Sequence, residues 1–377
     1  MESVMLKKFS VENFKGFQEK LVLDLGAPSN YNFSQKAIYE GVITKGILFG
    51  INGSGKSNLG LAVCDIISHL TDNQVLSARY DYYLNMNNPK SYAEFEYVFV
   101  FHDKEVIYQY RKSAMNKLEF ERLSIEGREV IYYDHLRKEG LTRLEGTETL
   151  NNTIRAANPI SRVKYVNSNA ILPDNCENAV FHEFISYVER MLLFYSLDHR
   201  GYEGFQSGGG NISEEIIKSG KLSEFQQFLK ENEITYDLAA EEIDGEKKIY
   251  CRFENQKKAN FFKIASTGTR SLTLFYYWYT KMREASFVYI DEFDAFYHFE
   301  LAKNIIKRLY EIEHVQIFTT THNTDLMSND LLRPDCYFIL ENNKITSLAG
   351  ATDKELRKAH NLQKMYKAGA FDGKDRE

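Results

Sequence analysis

A chain of 377 residues, 43% hydrophobic and 27% charged, can bury a large core and is too apolar for disorder. Its net charge of −6 argues against a general polyanion binder, so any nucleic-acid contact would need a local basic patch. The four cysteines, Cys64, Cys176, Cys251 and Cys336, lack any C-x-x-C pair, Met1–Lys8 lacks a signal pattern, and no apolar run reaches the roughly 18 residues of a membrane span; the expectation is a cytoplasmic protein without disulfides or a metal cluster.

Leu6–Val11 and Leu21–Leu25 predict two strands around a turn at Asn13–Phe17, and Asn30–Glu40 predicts a loop. Gly46–Phe49 then reads as a buried strand that runs into Gly50-Ile51-Asn52-Gly53-Ser54-Gly55-Lys56-Ser57, which satisfies G-x-x-x-x-G-K-[ST]. Glycines there let backbone N–H groups converge on phosphate oxygens, and the new helix aims its positive end at the same anion. Gly50, Asn52, Gly53, Ser54, Gly55, Lys56, Ser57 and Asn58 are the candidate nucleotide-binding residues. Lys56 would neutralise β/γ-phosphate charge, and the Ser57 hydroxyl would ligate Mg²⁺. Leu59, Ala62, Val63, Ile66 and Ile67 continue at helical spacing, predicting a helix from Lys56 to about Leu70.

Asp72–Pro89 shows no period and reads as irregular. In Tyr92–Asp134, Ala93, Phe95, Tyr97, Phe99 and Phe101 open a period of two, and turn residues at 102–104, 113–116 and 126–127 predict an antiparallel meander. Residues 1–134 form the N-terminal part of the expected nucleotide domain, and 135–260 read as a mainly helical insertion or arm. Within it, Glu177–Ser196 predicts a helix, Gly201–Gly210 a glycine-rich loop, Ser213–Lys218 and Ser223–Lys230 two short helices, and Asp244-Gly245 a hairpin turn. Residues 261–377 return to strand–helix alternation: a helix over Arg270–Glu284, a strand at Ser286–Ile290, a helix about Leu301–Leu309, a strand at Val315–Thr319, a hairpin about Asn342-Asn343 and a closing helix over Asp353–Lys367. Such alternation implies α/β architecture, with a mainly parallel core sheet and its ligand at the strands' carboxyl ends.

Three further stretches carry chemistry. Phe287-Val288-Tyr289-Ile290-Asp291-Glu292 delivers two acids at the end of an apolar strand. Asp291 suits the Mg²⁺ shell opposite Ser57, and Glu292 suits general-base activation of water. Ile317–Asn323 ends a strand in Thr320-Thr321-His322-Asn323, where His322 could hydrogen-bond a γ-phosphate. Ala265-Ser266-Thr267-Gly268-Thr269-Arg270 is a Ser/Gly turn opening a helix. An ordinary cap at Ser266 or Thr267 would account for one hydroxyl.

The order of these motifs, with the opening Phe9–Phe17, resembles the ABC-type ATPase heads of the SMC, RecF and OLD groups. More narrowly, Ser266–Arg270, Asp291-Glu292-Phe293-Asp294, Thr320–Asn323 and Met365–Phe371 resemble the bacterial "AAA family ATPase" group, which includes ATPase subunits of abortive-infection and antiphage systems. The resemblance implies a P-loop NTPase of the ABC-type head fold with an antiparallel β layer, ATP and Mg²⁺ as cofactors, and a homodimer enclosing two ATP molecules. In it, Ser266 and Gly268 of one subunit would touch the γ-phosphate held by the other's Lys56, Lys15 would approach the phosphates, Glu292 and His322 would act with Lys56 in catalysis, and Asp294 would communicate between subunits. Too few residues follow His322 for a fused nuclease of the acidic-cluster type, so an effector of nuclease or toxin kind would be a separate protein. The glutamine that senses the metal in such heads is not placed; Gln109 lies in the meander with its role open. Two other readings stand beside this one: a repair or chromosome-maintenance ATPase acting on DNA, for which the acidic charge and absence of heptads give no support, and a nucleotide-bound scaffold with little turnover, against which the intact Asp291-Glu292 pair counts.

Overall fold

The computed structural model describes residues 4–73, 75–151, 160–195, 202–205, 212–243, 245–295 and 297–371. Two seven-stranded sheets dominate the α/β fold. The outer sheet is antiparallel and runs, in spatial order, Glu139–Thr142, Arg128–Asp134, Lys117–Ile125, Lys104–Ala114, Ala93–Phe101, Val4–Glu12 and Leu21–Asp24. Its period-two pattern does what was expected of it: Ala93, Phe95, Tyr97, Phe99 and Phe101 are buried and the residues between them are half-buried.

The core sheet has five parallel strands, Met191–Tyr195, Phe287–Asp291, Gln316–Thr321, Lys45–Phe49 and Tyr337–Glu341, with Tyr202–Gly204 and Lys344–Ser347 antiparallel at its edges. Met191–Tyr195, Phe287–Asp291 and Tyr337–Glu341 are near-continuous apolar runs, as expected of strands covered on both faces. The helices Lys56–Cys64 and Cys176–Glu189 join the two sheets. The Tyr97 hydroxyl of the outer sheet donates to the Ala62 and Val63 carbonyls at 3.0 and 3.2 Å, and Phe99 meets Phe184 and Tyr187 edge-on. A small third sheet, Asp237–Ile243, Glu246–Arg252 and Lys258–Asn260, packs with Ile212–Lys218 and Leu222–Glu231. No helix among the described residues is long and apolar enough to cross a membrane.

Several expectations are corrected. Met191–Tyr195 is a strand of the core sheet, so the helix that was expected to reach Ser196 stops at Glu189. A short apolar run fits either state by periodicity; the vacancy beside Phe287–Asp291 decides it. The stretch 135–260 is therefore no separate helical arm over its whole length, because it lends Glu139–Thr142 to one sheet and Met191–Tyr195 to the other. The Lys56–Leu70 helix is broken after Cys64. There Asp65 is drawn inward to accept from Lys112 at 2.7 Å, Tyr110 at 2.9 Å and Tyr83 at 3.0 Å, a fully buried network. The closing helix spans only Leu362–Lys367. Asn329 donates to the carbonyls of Arg357, Lys358 and His360 and holds that stretch non-helical, and Asn361 caps the helix that follows. Most of the Gly201–Gly210 loop and Asp244 of the hairpin turn lie outside the described residues.

Lys45 opens the central strand with its amine buried, and it donates to the Val315 carbonyl. Burial pushes it down to about 7, against a smaller opposing pull from Glu313. The unfolded chain then binds more protons than the fold between that value and the ordinary lysine range, so this lysine's contribution to stability improves as pH rises through the window. Relative to Lys45→Met, the wild type is expected to gain several kcal/mol between about pH 7 and pH 10. Parallel urea titrations of both proteins at each pH would show it; a constant difference would refute the assignment.

Candidate nucleotide site

The parallel register gathers the predicted stretches at one edge of the core sheet. Phe49 pairs with Thr321, and Ile290 with Thr319, so the phosphate loop, the acidic pair and the histidine leave from neighbouring strand ends. The loop turns back through Gly53 and Gly55, both at positive φ. At Gly55 a side chain is excluded twice, by a φ of 104° and by the Phe17 ring, 2.9 Å from where a Cβ would stand. Gly55 caps helix Lys56–Cys64 without a side-chain bond, which leaves the first-turn N–H groups for an anion. Asn52, Gly53 and Ser57 are exposed around this turn, while Gly50, Ser54 and Asn58 are half-buried and the Ser54 hydroxyl has no hydrogen-bond partner among the described residues.

Lys56 is buried and folds back onto its own loop, donating to the Gly50 and Ile51 carbonyls at 2.8 and 3.2 Å. Burial lowers its pKa, and the charges of Glu292 and Asp291 oppose that shift, which places both carboxylates in the ammonium's field. The Tyr289 hydroxyl donates to the Lys56 carbonyl at 2.6 Å and ties the acidic strand to the phosphate-loop helix.

Thr320 builds the acidic corner. Its hydroxyl donates to Asp291 Oδ1 at 2.8 Å and accepts from the Glu292 N–H at 2.7 Å. This fixes the Asp291 carboxylate and the start of the turn in which Glu292 takes a φ of 46°, an uncommon conformation for a residue with a side chain. Among the described residues Glu292 Oε2 is buried with no hydrogen-bond partner. Thr321 donates to Asp294 Oδ2 at 2.8 Å; burial raises the Asp294 pKa, while that bond and the charge of His322 lower it. His322 itself is exposed at the strand end, within the electrostatic reach of Asp294.

Lys15 sits in the hairpin turn at a φ of 48° and donates to the Asp81 carbonyl at 2.9 Å. Burial lowers its pKa, and Asp81 opposes the shift. Its neighbours Gly16 and Phe17 lie on Asn58 and Gly55, so its turn covers the start of the phosphate-loop helix. Ser266 stands at a different helix start. Its hydroxyl caps helix Thr267–Tyr279, accepting from the Thr269 N–H at 3.1 Å, and it is exposed; Gly268 follows in the first turn. Gln109 donates to Glu96 at 2.6 Å on the next strand of the outer sheet, where it serves sheet pairing.

Sequence reasoning missed Thr320 as a positioning group, Tyr289 as a tie and Tyr195 as the register partner of Asp291. A run of threonines ending an apolar strand was the available signal for the first; nothing local marked the others.

The donor set suits hydrated Mg²⁺ on a phosphate chain. One hydroxyl at Ser57 and one oriented carboxylate at Asp291 are what such an ion takes from protein, phosphates and water supplying the rest. No group of three or more His, Cys, Asp or Glu able to hold a metal occurs among the described residues.

Residues 47–328 match the model of the family described as "AAA domain, putative AbiEii toxin, Type IV TA system". No curated protein matches the chain. Among solved structures, the SMC head domain from Thermotoga maritima is similar at 15% identity and a TM-score of 0.44, over 91% of this chain and 98% of that one. The SMC head bound to the C-winged helix domain of ScpA is similar at 16% and 0.45, over 91% and 97%. The extended-coiled-coil SMC head from Pyrococcus furiosus, bound to the C-terminal domain of ScpA, is similar at 15% and 0.38, over 97% and 98%.

Proposed function

This chain belongs to the AAA-domain family matched by its residues 47–328, and from that premise we propose that it hydrolyses ATP as an ABC-type head, pairs with a second copy around two ATP molecules, and controls a separate effector in antiphage defence. One observation carries the catalytic part: Thr320 and Tyr289 hold the acidic pair against the phosphate-loop lysine, and Glu292 keeps an unbonded carboxylate oxygen there.

The division of labour follows from the donors. First-turn N–H groups and Lys56 bind the phosphates, with Lys56 leaving the Gly50 and Ile51 carbonyls to do so. Ser57 and Asp291 would hold Mg²⁺, which supplies charge neutralisation on the phosphate oxygens. Glu292 takes the proton of the attacking water, and His322 hydrogen-bonds the γ-phosphate. Among the described residues no hydrogen bond ties Ser266 or Gly268 to this loop, and the turn, with Ser266 exposed and Gly268 half-buried, is suited to meeting the γ-phosphate of a partner. ATP would then join two copies and hydrolysis would release them, a shift between populations. The defence role and the effector rest on the family and its toxin–antitoxin description.

The direct DNA reading gains nothing from the fold. The longest helix among the described residues is Cys176–Glu189, of 14 residues, which is no coiled-coil arm. The test is a Mg²⁺-dependent phosphate-release assay with parallel nucleotide binding. Wild-type protein should turn ATP over, and Lys56→Ala should lose binding at least tenfold; equal binding by Lys56→Ala would overturn the site.

A further inference from the structure

A cavity of about 460 Å³ opens at the end of the core sheet opposite the phosphate loop. It lies where the outer sheet, the helix Cys176–Glu189 and the amino ends of the core strands meet: Val4, Met5 and His102 from the first, Glu183, Tyr187 and Arg190 from the second, Ser286 and His314 from the third. Its size suits a compound as large as a nucleotide.

Its polar groups are arranged in sequence along one wall. Glu183 and Tyr187 stand one turn apart on one helix face and Arg190 caps the end of that helix, three residues further on, so the carboxylate and the guanidinium are set about 10 Å apart along the axis. Glu183 is half committed: Oε1 pairs with His102 Nε2 at 3.0 Å, while Oε2 is buried with no hydrogen-bond partner among the described residues. That oxygen asks for a donor. At the other end Arg190 spends its Nε on the Ser186 carbonyl at 3.1 Å. Arg283, in the turn Met282–Glu284, reaches the same cavity. Among the described residues neither guanidinium has an ion-pair partner. Arg190 also faces the negative end of its own helix, so Arg283 supplies the surplus positive charge. Of the acids on the rim, Glu311 is taken up by Lys36 at 3.0 Å, and Glu313 is exposed.

We propose that this cavity binds a small phosphorylated ligand of nucleotide size, its phosphate on Arg190 and Arg283 and an N–H donor on Glu183 Oε2. Planar guanidinium forks match phosphate oxygens, and two of them together hold one anion from both sides. The Tyr187 ring and Met5 supply the apolar wall between the two ends. Arg283 closes the segment whose helix begins at Ser266, so occupancy would bear on ATP-driven pairing. That consequence rests on the function proposed above; the binding does not.

The test is equilibrium dialysis of radiolabelled AMP, GMP and inorganic phosphate against full-length Lys56→Ala protein, in which the phosphate loop is silenced. One nucleoside monophosphate should bind saturably at one per chain, at least tenfold tighter than inorganic phosphate. Arg190→Gln combined with Arg283→Gln should weaken it at least tenfold, and Glu183→Gln should erase the preference over inorganic phosphate. Thermal melts of each variant confirm that it is folded; if the double variant does not fold, Arg283→Gln alone, at an exposed position, is read in its place. No saturable binding of either nucleotide, equal binding of inorganic phosphate, or undiminished binding by the folded arginine variant would each overturn the proposal.

Discussion

Glu292→Gln is expected to bind ATP as the wild type does and to lose turnover by about 10²- to 10⁴-fold, the usual contribution of a positioned general base. The expectation follows from geometry. The Glu292 backbone is pinned by its N–H bond to Thr320, and its carboxylate carries one buried oxygen without a hydrogen-bond partner among the described residues. An amide of the same shape keeps the turn and the contacts but cannot take a proton from water. Lys56, Ser57 and Asp291, the groups assigned to phosphate and metal, are untouched, so binding should persist. Single-turnover hydrolysis alongside equilibrium nucleotide binding separates the two quantities. Near-normal hydrolysis would sink the assignment of Glu292 as base. Equal loss of binding and turnover would instead show that Glu292 serves to set the shape of the loop.

Ser266→Arg is expected to abolish ATP-dependent pairing while leaving each monomer able to bind nucleotide. Ser266 is exposed, and among the described residues its hydroxyl serves only the helix start, accepting from Thr269 N–H at 3.1 Å and lying 2.9 Å from Thr269 Oγ1. Losing that cap costs about 1 kcal/mol, too little to unfold a domain of this size. A long cation in the turn would block close approach of another subunit. Ser266→Asp separates capping from pairing, because aspartate caps as well as serine yet sets a negative charge against a phosphate. Both variants, made in the Glu292→Gln background so that ATP persists, should stay monomeric by light scattering. A dimer mass unchanged in Ser266→Arg would mean that the two copies do not meet through this turn.

Much of the site could be read along the chain because its parts are contiguous in sequence. The phosphate loop is a strand, a turn and a helix start in a row, and the acidic pair ends its own strand. The outer meander was equally legible, since alternation of burial is written residue by residue. Reading failed where two elements compete for one short apolar segment, as at Met191–Tyr195, and where a distant side chain overrides local propensity, as Asn329 does before Leu362. It also left Gln109 open, and the structure spends that side chain on Glu96 in the outer sheet.

The sequence by itself determined which chemical groups are present and what each strand end delivers: Lys56 and Ser57 after one strand, Asp291 and Glu292 after another, His322 after a third. The tertiary structure alone decided that these ends are neighbours. Parallel strands need crossovers, and a crossover can place the next strand on either side of its predecessor, so local pattern leaves the spatial order open. Only the finished sheet puts Thr320 beside Asp291 and Tyr289 beneath Lys56, contacts that span 29 and 233 residues of chain. The second forms because burial leaves the Tyr289 hydroxyl and the Lys56 carbonyl no water to bond, and the first because the neighbouring strand sets the buried Thr320 hydroxyl within reach of the half-buried Asp291 carboxylate.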